Sequence, residues 1–187
     1  MGESNYHIAP VDAARWNDFF RLLKPCWGCW CMYYRTTAAE FKATDGNGRC
    51  EAMKKLIESG TSTGLIAYSD NNPIGWISLG PKTDFVRLKT SRTAKTPAVP
   101  GLWSIVCFYI HPEYRHRGIE KTLIESGIDF AKKNGALVLE AYPVSFEEAG
   151  GNPDMWYQGA VSSFTRCGFS VIERKTPKRV VVRLRLE

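Results

Sequence analysis

The 187 residues are 44% hydrophobic and 24% charged, proportions that suit one soluble globular domain spanning 1–187 with a core of its own. No run of 18 or more apolar residues is present and MGESNYHIAP lacks an apolar core, so no membrane span and no signal peptide are expected, and cytoplasmic is the default location. The formal charge of +6 suits a phosphate-bearing small molecule as well as a polyanion; with no recognised nucleic-acid motif, a nucleic-acid partner is not expected.

Tyr6 to Val11 has the composition of a first strand. Asp12 then stands as an N-cap, with Val11 and Trp16 spaced as a hydrophobic staple. Trp16, Phe19, Phe20 and Leu23 line one helical face, and Lys24-Pro25 ends it. The segment PCWGCWCMYYR (25–35) follows. Cys26, Cys29 and Cys31 have metal-like spacing but no second ligand pair, which favours packing over a zinc site. The six cysteines of the chain read as reduced thiols rather than a disulfide framework. Trp27, Trp30, Tyr33 and Tyr34 are either the wall of a pocket for an amine or buried aromatics, and both readings stay open.

DGNG (45–48) is a turn before a helix with Cys50, Met53, Leu56 and Ile57 on one face and Gly60 at its end. Leu65–Tyr68 and Ile74–Leu79 read as two strands of a meander. Residues 81–100 are polar and basic and long for a structureless loop, which suggests a lid, a phosphate site or, as the favoured reading, a solvated excursion.

From Leu102 to Ile110 the chain is an apolar run of β-formers. It passes through His111-Pro112 into the basic turn Arg115-His116-Arg117-Gly118, after which Ile119, Leu123, Ile124, Gly127, Ile128 and Ala131 recur at helical spacing. The free N–H groups at that helix start are oriented to hold an anion such as phosphate. Neither GxxxxGK[ST] nor GxGxxG occurs. Residues 136–144 read as a further strand with Val138, Glu140 and Tyr142 on one face, where two polar groups need partners or a chemical task. MWYQG (155–159) leads into a short helix carrying Val161, Phe164 and Cys167. A last strand alternates Val180, Val182, Leu184 and Leu186 with Arg179, Arg183 and Arg185 on a wet face.

The central strand, turn and helix resemble the acyl-CoA-binding segment of the GNAT superfamily of N-acyltransferases, whose pattern is V-x-P-x-x-R followed by [QR]-x-x-G-x-[GA] opening a helix. Ile110, Pro112, Arg115 and Gly118 fall on that pattern. The later SSFTRCGF is similar to the family's A-x-x-x-Y-x-x-x-GF, matched at Ala160, Gly168 and Phe169. The resemblance implies an α/β (α+β) fold, a mixed, mostly antiparallel sheet of about seven strands flanked by helices and splayed at its centre. It also implies direct transfer of an acetyl group from acetyl-CoA to a primary amine of a small molecule or peptide through a tetrahedral intermediate. The alternative is a non-catalytic acyl-CoA sensor or protein-interaction module of the same fold. Unused apolar strand edges make a homodimer an option.

By the same resemblance the cofactor positions are Phe108, Ile110, Arg115, Arg117, Gly118, Ile119, Glu120, Lys121 and Thr122, and the acceptor positions are Trp27, Trp30, Tyr33, Tyr34 and Trp156. Two residues depart from the pattern. Glu120 replaces the last glycine or alanine of the turn and puts a carboxylate where pyrophosphate is expected, unless its side chain points away. Phe164 replaces the tyrosine that protonates the departing thiolate, which leaves Tyr157 or Tyr142 as the candidate acid. Glu140 is the candidate base, with a hydrogen-bonded structural glutamate as the open alternative. Cys107 is disfavoured as a nucleophile, having no histidine visibly paired to it.

Overall fold

A computed structural model describes residues 6–26, 28–145 and 157–186. Its strands are β1 (His7–Pro10), β2 (Gly64–Ser69), β3 (Asn72–Pro81), β4 (Leu102–Ile110), β5 (Val138–Ala141), β6 (Ser170–Thr176) and β7 (Arg179–Arg185). The helices among the described residues are α1 (Trp16–Leu23), α2 (Ala38–Ala43), α3 (Gly46–Glu58), α4 (Ile119–Lys133) and α5 (Val161–Arg166). None of them is long and apolar enough to cross a membrane.

The strands form one sheet in the order β1-β2-β3-β4-β5-β7-β6. Every neighbouring pair is antiparallel except β4 and β5, which run parallel because α4 crosses between them. The β4–β5 register ends at Ile105 opposite Ala141, while β4 continues to Ile110 paired with β3. The sheet therefore opens beyond Ile105, which is the splay expected at the central strands.

Local chemistry explains where the helices begin. Asp12 accepts from the Arg15 N–H at 3.0 Å and starts a 3-10 turn that runs into α1. Asp45 accepts from the Gly48 N–H at 2.7 Å and starts α3. A reciprocal capping box between Thr37 and Glu40 starts α2, a helix the sequence reading did not include.

One core fills the face of the sheet under α4 and α5, with Ile77, Ile105, Leu123 and Phe164 buried in it. A second lies on the opposite face under α1 and α3, built from Phe19, Met53, Ile66 and Trp76. A third gathers Tyr34, Phe85, Leu88, Val106, Tyr142 and Val181, and it overturns the expectation that 81–100 is solvated. Phe85 and Leu88 are fully buried, and the Arg87 guanidinium lies 3.9 Å over the Tyr33 ring while donating to the Thr36 and Thr37 carbonyls. The basic segment is a structural layer whose few apolar side chains anchor it.

β7 also differs from the one-sided strand expected. Val180, Val181 and Val182 are all buried, so both faces are covered there, and Arg183 turns inward to pair with Glu140 at 2.6 Å rather than facing water.

A cleft at the opened strands

At the splay, the turn after β4 and the start of α4 form one end of a cleft of about 870 Å³. Gly118 takes φ 80°, a left-handed conformation that costs glycine little, and turns the chain into the helix. The first bond into the helix runs from the Thr122 N–H to the Gly118 carbonyl at 3.2 Å. The N–H groups of Ile119, Glu120 and Lys121 thus have no intrahelical partner and point out of the helix start. Arg115, Gly118, Ile119, Glu120 and Lys121 line the cleft. Arg115 is held by a bond from its Nε to the Ile110 carbonyl at 3.2 Å. Arg117 lies over the Tyr114 ring at 5.3 Å, and the Thr122 hydroxyl bonds back to Gly118; neither is a lining residue.

Glu120 turns its carboxylate away from the helix start. One oxygen accepts from the Ala160 N–H at 3.2 Å and the other from the Ser163 hydroxyl at 3.0 Å. Burial raises its pKa above the usual carboxylate value, with the bonds from Ser163 and Ala160 pulling the other way. The side chain is a strut between the first turn of α4 and the start of α5, and the backbone N–H groups stay available to an anion. Gly159 makes room for it: at φ 77°, a Cβ there would stand 2.6 Å from the Glu120 carboxylate and 3.1 Å from Phe164.

The other end of the cleft is aromatic and thiol-rich. Trp30, Tyr33, Tyr34 and Tyr157 line it, together with Cys26, Cys29, Cys31 and Cys107. Trp30 stacks on Phe20 at 5.3 Å within the α1–α3 core and also borders the cleft. Trp27 and Trp156 lie outside the described residues. The Tyr34 hydroxyl accepts from Gln158 Nε2. Burial raises the Tyr157 phenol above its ordinary value, although Arg179 opposes the shift, and burial raises Tyr34 as well. Both phenols therefore keep their protons at neutral pH and can donate.

Between the two ends, the Phe108 N–H donates to the Tyr157 carbonyl at 2.5 Å. The His111 N–H points the opposite way, to the Ile74 carbonyl at 2.8 Å. Alternation along the strand then puts the Ile110 N–H on the same side as that of Phe108, toward the opening.

Glu140 and Tyr142 are not in the cleft. Glu140 has no exposed surface and is bonded to Lys82 at 2.8 Å, Arg183 at 2.6 Å, Tyr142 at 2.7 Å and Thr96 at 2.8 Å. Burial alone would raise its pKa, but the bonds from Lys82, Tyr142 and Arg183 outweigh it and hold the carboxyl below its ordinary value. A saturated carboxylate with a lowered pKa cannot reach or take a proton from an amine in the cleft, so the structural alternative describes Glu140. Tyr142 donates to Glu140 and meets the Ser104 hydroxyl at 3.0 Å, and it is likewise structural.

The sequence reading did not single out Ser163, His116 or Arg166, which also line the cleft, nor the convergence of thiols on one wall. Cys31 and Cys107 lie far apart in the chain, and no spacing signal joins them. Among the described residues no group of three or more His, Cys, Asp or Glu is arranged to hold a metal.

A family model described as the acetyltransferase (GNAT) family matches residues 16–146. No curated protein matches the chain. Among solved structures, PaiA N-acetyltransferase from Thermoplasma acidophilum in complex with coenzyme A shares 17% identity over 97% of this chain and 99% of that one, with a TM-score of 0.57. YncA from Salmonella typhimurium, solved with its cofactor acetyl-CoA, shares 15% identity over 97% and 94% of the two chains, with a TM-score of 0.56. Ribosomal-protein-alanine N-acetyltransferase from Brucella melitensis shares 16% identity over 96% and 99%, also at 0.56. At these identities the structures speak for the fold, and the family model, which spans well over half the sequence, makes the assignment: the chain belongs to the GNAT family of acetyltransferases.

Proposed function

We propose that the protein is an N-acetyltransferase that moves the acetyl group of acetyl-CoA directly to a primary amine of a small molecule or peptide. The observation that carries this reading is the meeting, at the opened end of β4, of an anion-binding helix start with an aromatic, hydroxyl-bearing chamber. Acetyl-CoA would supply an activated thioester. The N–H groups of Ile119 to Lys121, with Arg115 and Lys121 beside them, would hold its pyrophosphate. These residues fit that role because the Glu120 carboxylate is engaged with Ala160 and Ser163 instead.

The Ile110 N–H faces the opening and is fixed by the strand, so it can donate to an acyl carbonyl with no reorganisation as charge develops. The Phe108 N–H is already given to Tyr157. Tyr157 takes the acid role that Phe164 cannot fill: it lines the cleft and its phenol stays protonated. A free thiol has a pKa of about 8.5, so the acid accelerates departure without being indispensable. Glu140 is unavailable as a base, and the one carboxylate among the described lining residues, Glu120, is engaged. The amine therefore enters neutral or gives its proton to water.

Calorimetric titration with acetyl-CoA and with CoA, at low and moderate salt, tests the reading, followed by a panel of amines assayed for thiol release. Saturable binding that weakens in Arg115→Ala, and amine-dependent release of CoA thiol, are expected. No binding at millimolar acetyl-CoA would refute it.

A further inference from the structure

A second pocket, of about 440 Å³, lies at the end of β4 away from the splay, where Pro81 of β3 faces Trp103. Small-ligand pockets run from roughly 300 to 1,000 Å³, so the volume suits a small molecule. Trp103 and Ile110 stand at opposite ends of the strand, about 23 Å apart at roughly 3.3 Å per residue. No residue of this pocket lines the acetyl-transfer cleft. Its outer wall is the basic segment after β3, which is held in place by the buried Phe85 and Leu88 and by the Arg87 N–H, donating to the Tyr34 carbonyl at 3.2 Å. The pocket is therefore preformed.

The lining is of two kinds. Leu88, Val99 and Leu102 supply apolar surface, while Lys82, Lys89 and Lys95 supply charge, and no Asp or Glu is among the described lining residues. Lys89 and Lys95 are exposed, and neither has an ion-pair partner among the described residues. The adjacent carboxylate, Asp84, meets Arg35 at 3.9 Å instead. Lys82 is held differently. Its side chain is 13% exposed, and it donates to Glu140 at 2.8 Å and to the Thr96 hydroxyl. An ammonium has three N–H groups, so one remains. Behind it, Arg183 also bonds to Glu140 at 2.6 Å and reaches the Thr96 hydroxyl at 3.4 Å. Two cations thus share one fully buried carboxylate, and the wall keeps one positive charge in excess. A partly buried charge is weakly screened, and with Lys89 and Lys95 at the rim its field favours an anion.

We propose that this pocket is a second binding site, for a small organic anion whose carboxylate or phosphate head is held by Lys82, Lys89 and Lys95 and whose apolar body lies against Leu88, Val99 and Leu102. Head and body are both required. An inorganic anion leaves the apolar surface wet, and a neutral ring leaves the excess charge without a partner. The two hydroxyls of the lining are already given away, Thr96 to Glu140 at 2.8 Å and Thr83 to Asp84 at 3.5 Å, so the ammonium groups hold the head. The site stands independently of the acetyl-transfer reading, because the two share no lining residue.

The test uses two photoreactive anions, 4-benzoylbenzoate and 4-benzoylphenyl phosphate, with 4-benzoylbenzamide as their neutral analogue. Calorimetry on the full chain reads affinity, and irradiation followed by peptide mapping by mass spectrometry reads the site. At least one anion should bind saturably with a Kd of about a millimolar or tighter, about fivefold or more tighter than the amide, and cross-link within residues 82–103. The tighter of the two anions identifies the head. Saturating CoA should leave the labelling unchanged. The double variant Lys89→Gln, Lys95→Gln, both positions being exposed, should weaken the anion about fivefold or more and leave the amide alone. Cross-links within 25–34 or 107–121 that CoA displaces, equal binding of the amide, indifference to the double variant, or no saturation at about 10 mM would each overturn the proposal. If CoA itself does not bind, the acetyl-transfer reading is in question while the cross-link map still decides this site.

Discussion

Glu140→Gln separates a structural carboxylate from a catalytic base. The side chain is fully buried between Lys82 and Arg183, whose side chains are 13% and 22% exposed. Removing one partner of a buried ion pair costs about 3–5 kcal/mol, because the other charge is left without compensation. Here glutamine keeps the volume and one acceptor oxygen, and both cations can reach some water, so the expected loss falls to about 2–3 kcal/mol. For a chain of this size each kcal/mol lowers Tm by about 2–4 °C, which gives a drop of about 4–12 °C in thermal unfolding. Turnover per folded molecule should stay within about twofold, whereas loss of a general base costs about 10²–10⁴-fold. The pH dependence adds a second signature. The folded-state pKa of Glu140 is depressed by its bonds to Lys82, Tyr142 and Arg183, so its contribution is present above the unfolded value and is lost as pH falls through the folded one. Wild type should therefore lose stability more steeply than Glu140→Gln on acidification below about pH 4.5. A hundredfold loss of turnover with an unchanged Tm would refute the structural reading.

Other substitutions probe the opposite side of the splay. Glu120→Ala removes the strut to Ala160 and Ser163 and should cost about 1–3 kcal/mol in urea unfolding, while CoA affinity does not rise; an affinity gain of several-fold would mean that the carboxylate faces the pyrophosphate after all. Gly159→Ala forces a left-handed alanine whose Cβ meets the Glu120 carboxylate, so its Tm should fall by more than the roughly 1–2 kcal/mol of the backbone conformation alone implies. Tyr157→Phe should lower kcat about tenfold or more with the KM for acetyl-CoA unchanged, whereas Tyr142→Phe should lower stability and leave kcat alone.

Much of this architecture is legible in the sequence because it rests on local pattern. The β4-to-α4 unit declares itself through an apolar run, a glycine and helical spacing, and the structure places it as read. What failed were features set by distant contacts. The partners of Glu140 lie 58, 44 and 43 residues away along the chain, so alternation could place the carboxylate on a face but could not supply its cations. Residues 81–100 look solvated because their lysines and arginines outnumber Phe85, Leu88 and Ala94, yet those three apolar side chains decide where the segment lies. Strand β6 shows no burial pattern, with most of its residues exposed, and so gave no periodic signal. The α2 capping box did have a local signature, Thr37 followed three residues later by Glu40, which the aromatic segment before it overshadowed.

The loss of the family tyrosine at Phe164 makes sense once the packing around it is considered. Phe164 has no exposed surface and meets the rings of Phe108 at 5.9 Å and Phe169 at 5.1 Å. Phe164 does not line the cleft, and a hydroxyl added to so buried a ring would need a hydrogen-bond partner of its own. Tyr157 is held differently. Its own carbonyl is fixed by Phe108; two residues on, the Gly159 carbonyl accepts from the Val144 N–H at 3.0 Å, and Glu120 holds Ala160. The segment is clamped to β4, to the chain beyond β5 and to α4, so its phenol is positioned without a helix of its own. Phe164→Tyr should therefore cost about 1–3 kcal/mol for an unsatisfied buried hydroxyl, and the double variant Tyr157→Phe, Phe164→Tyr should turn over no faster than Tyr157→Phe alone. Recovery of turnover in that double variant would mean that the acid role belongs to the position in α5, and that the clamp on Tyr157 serves only to close the sheet.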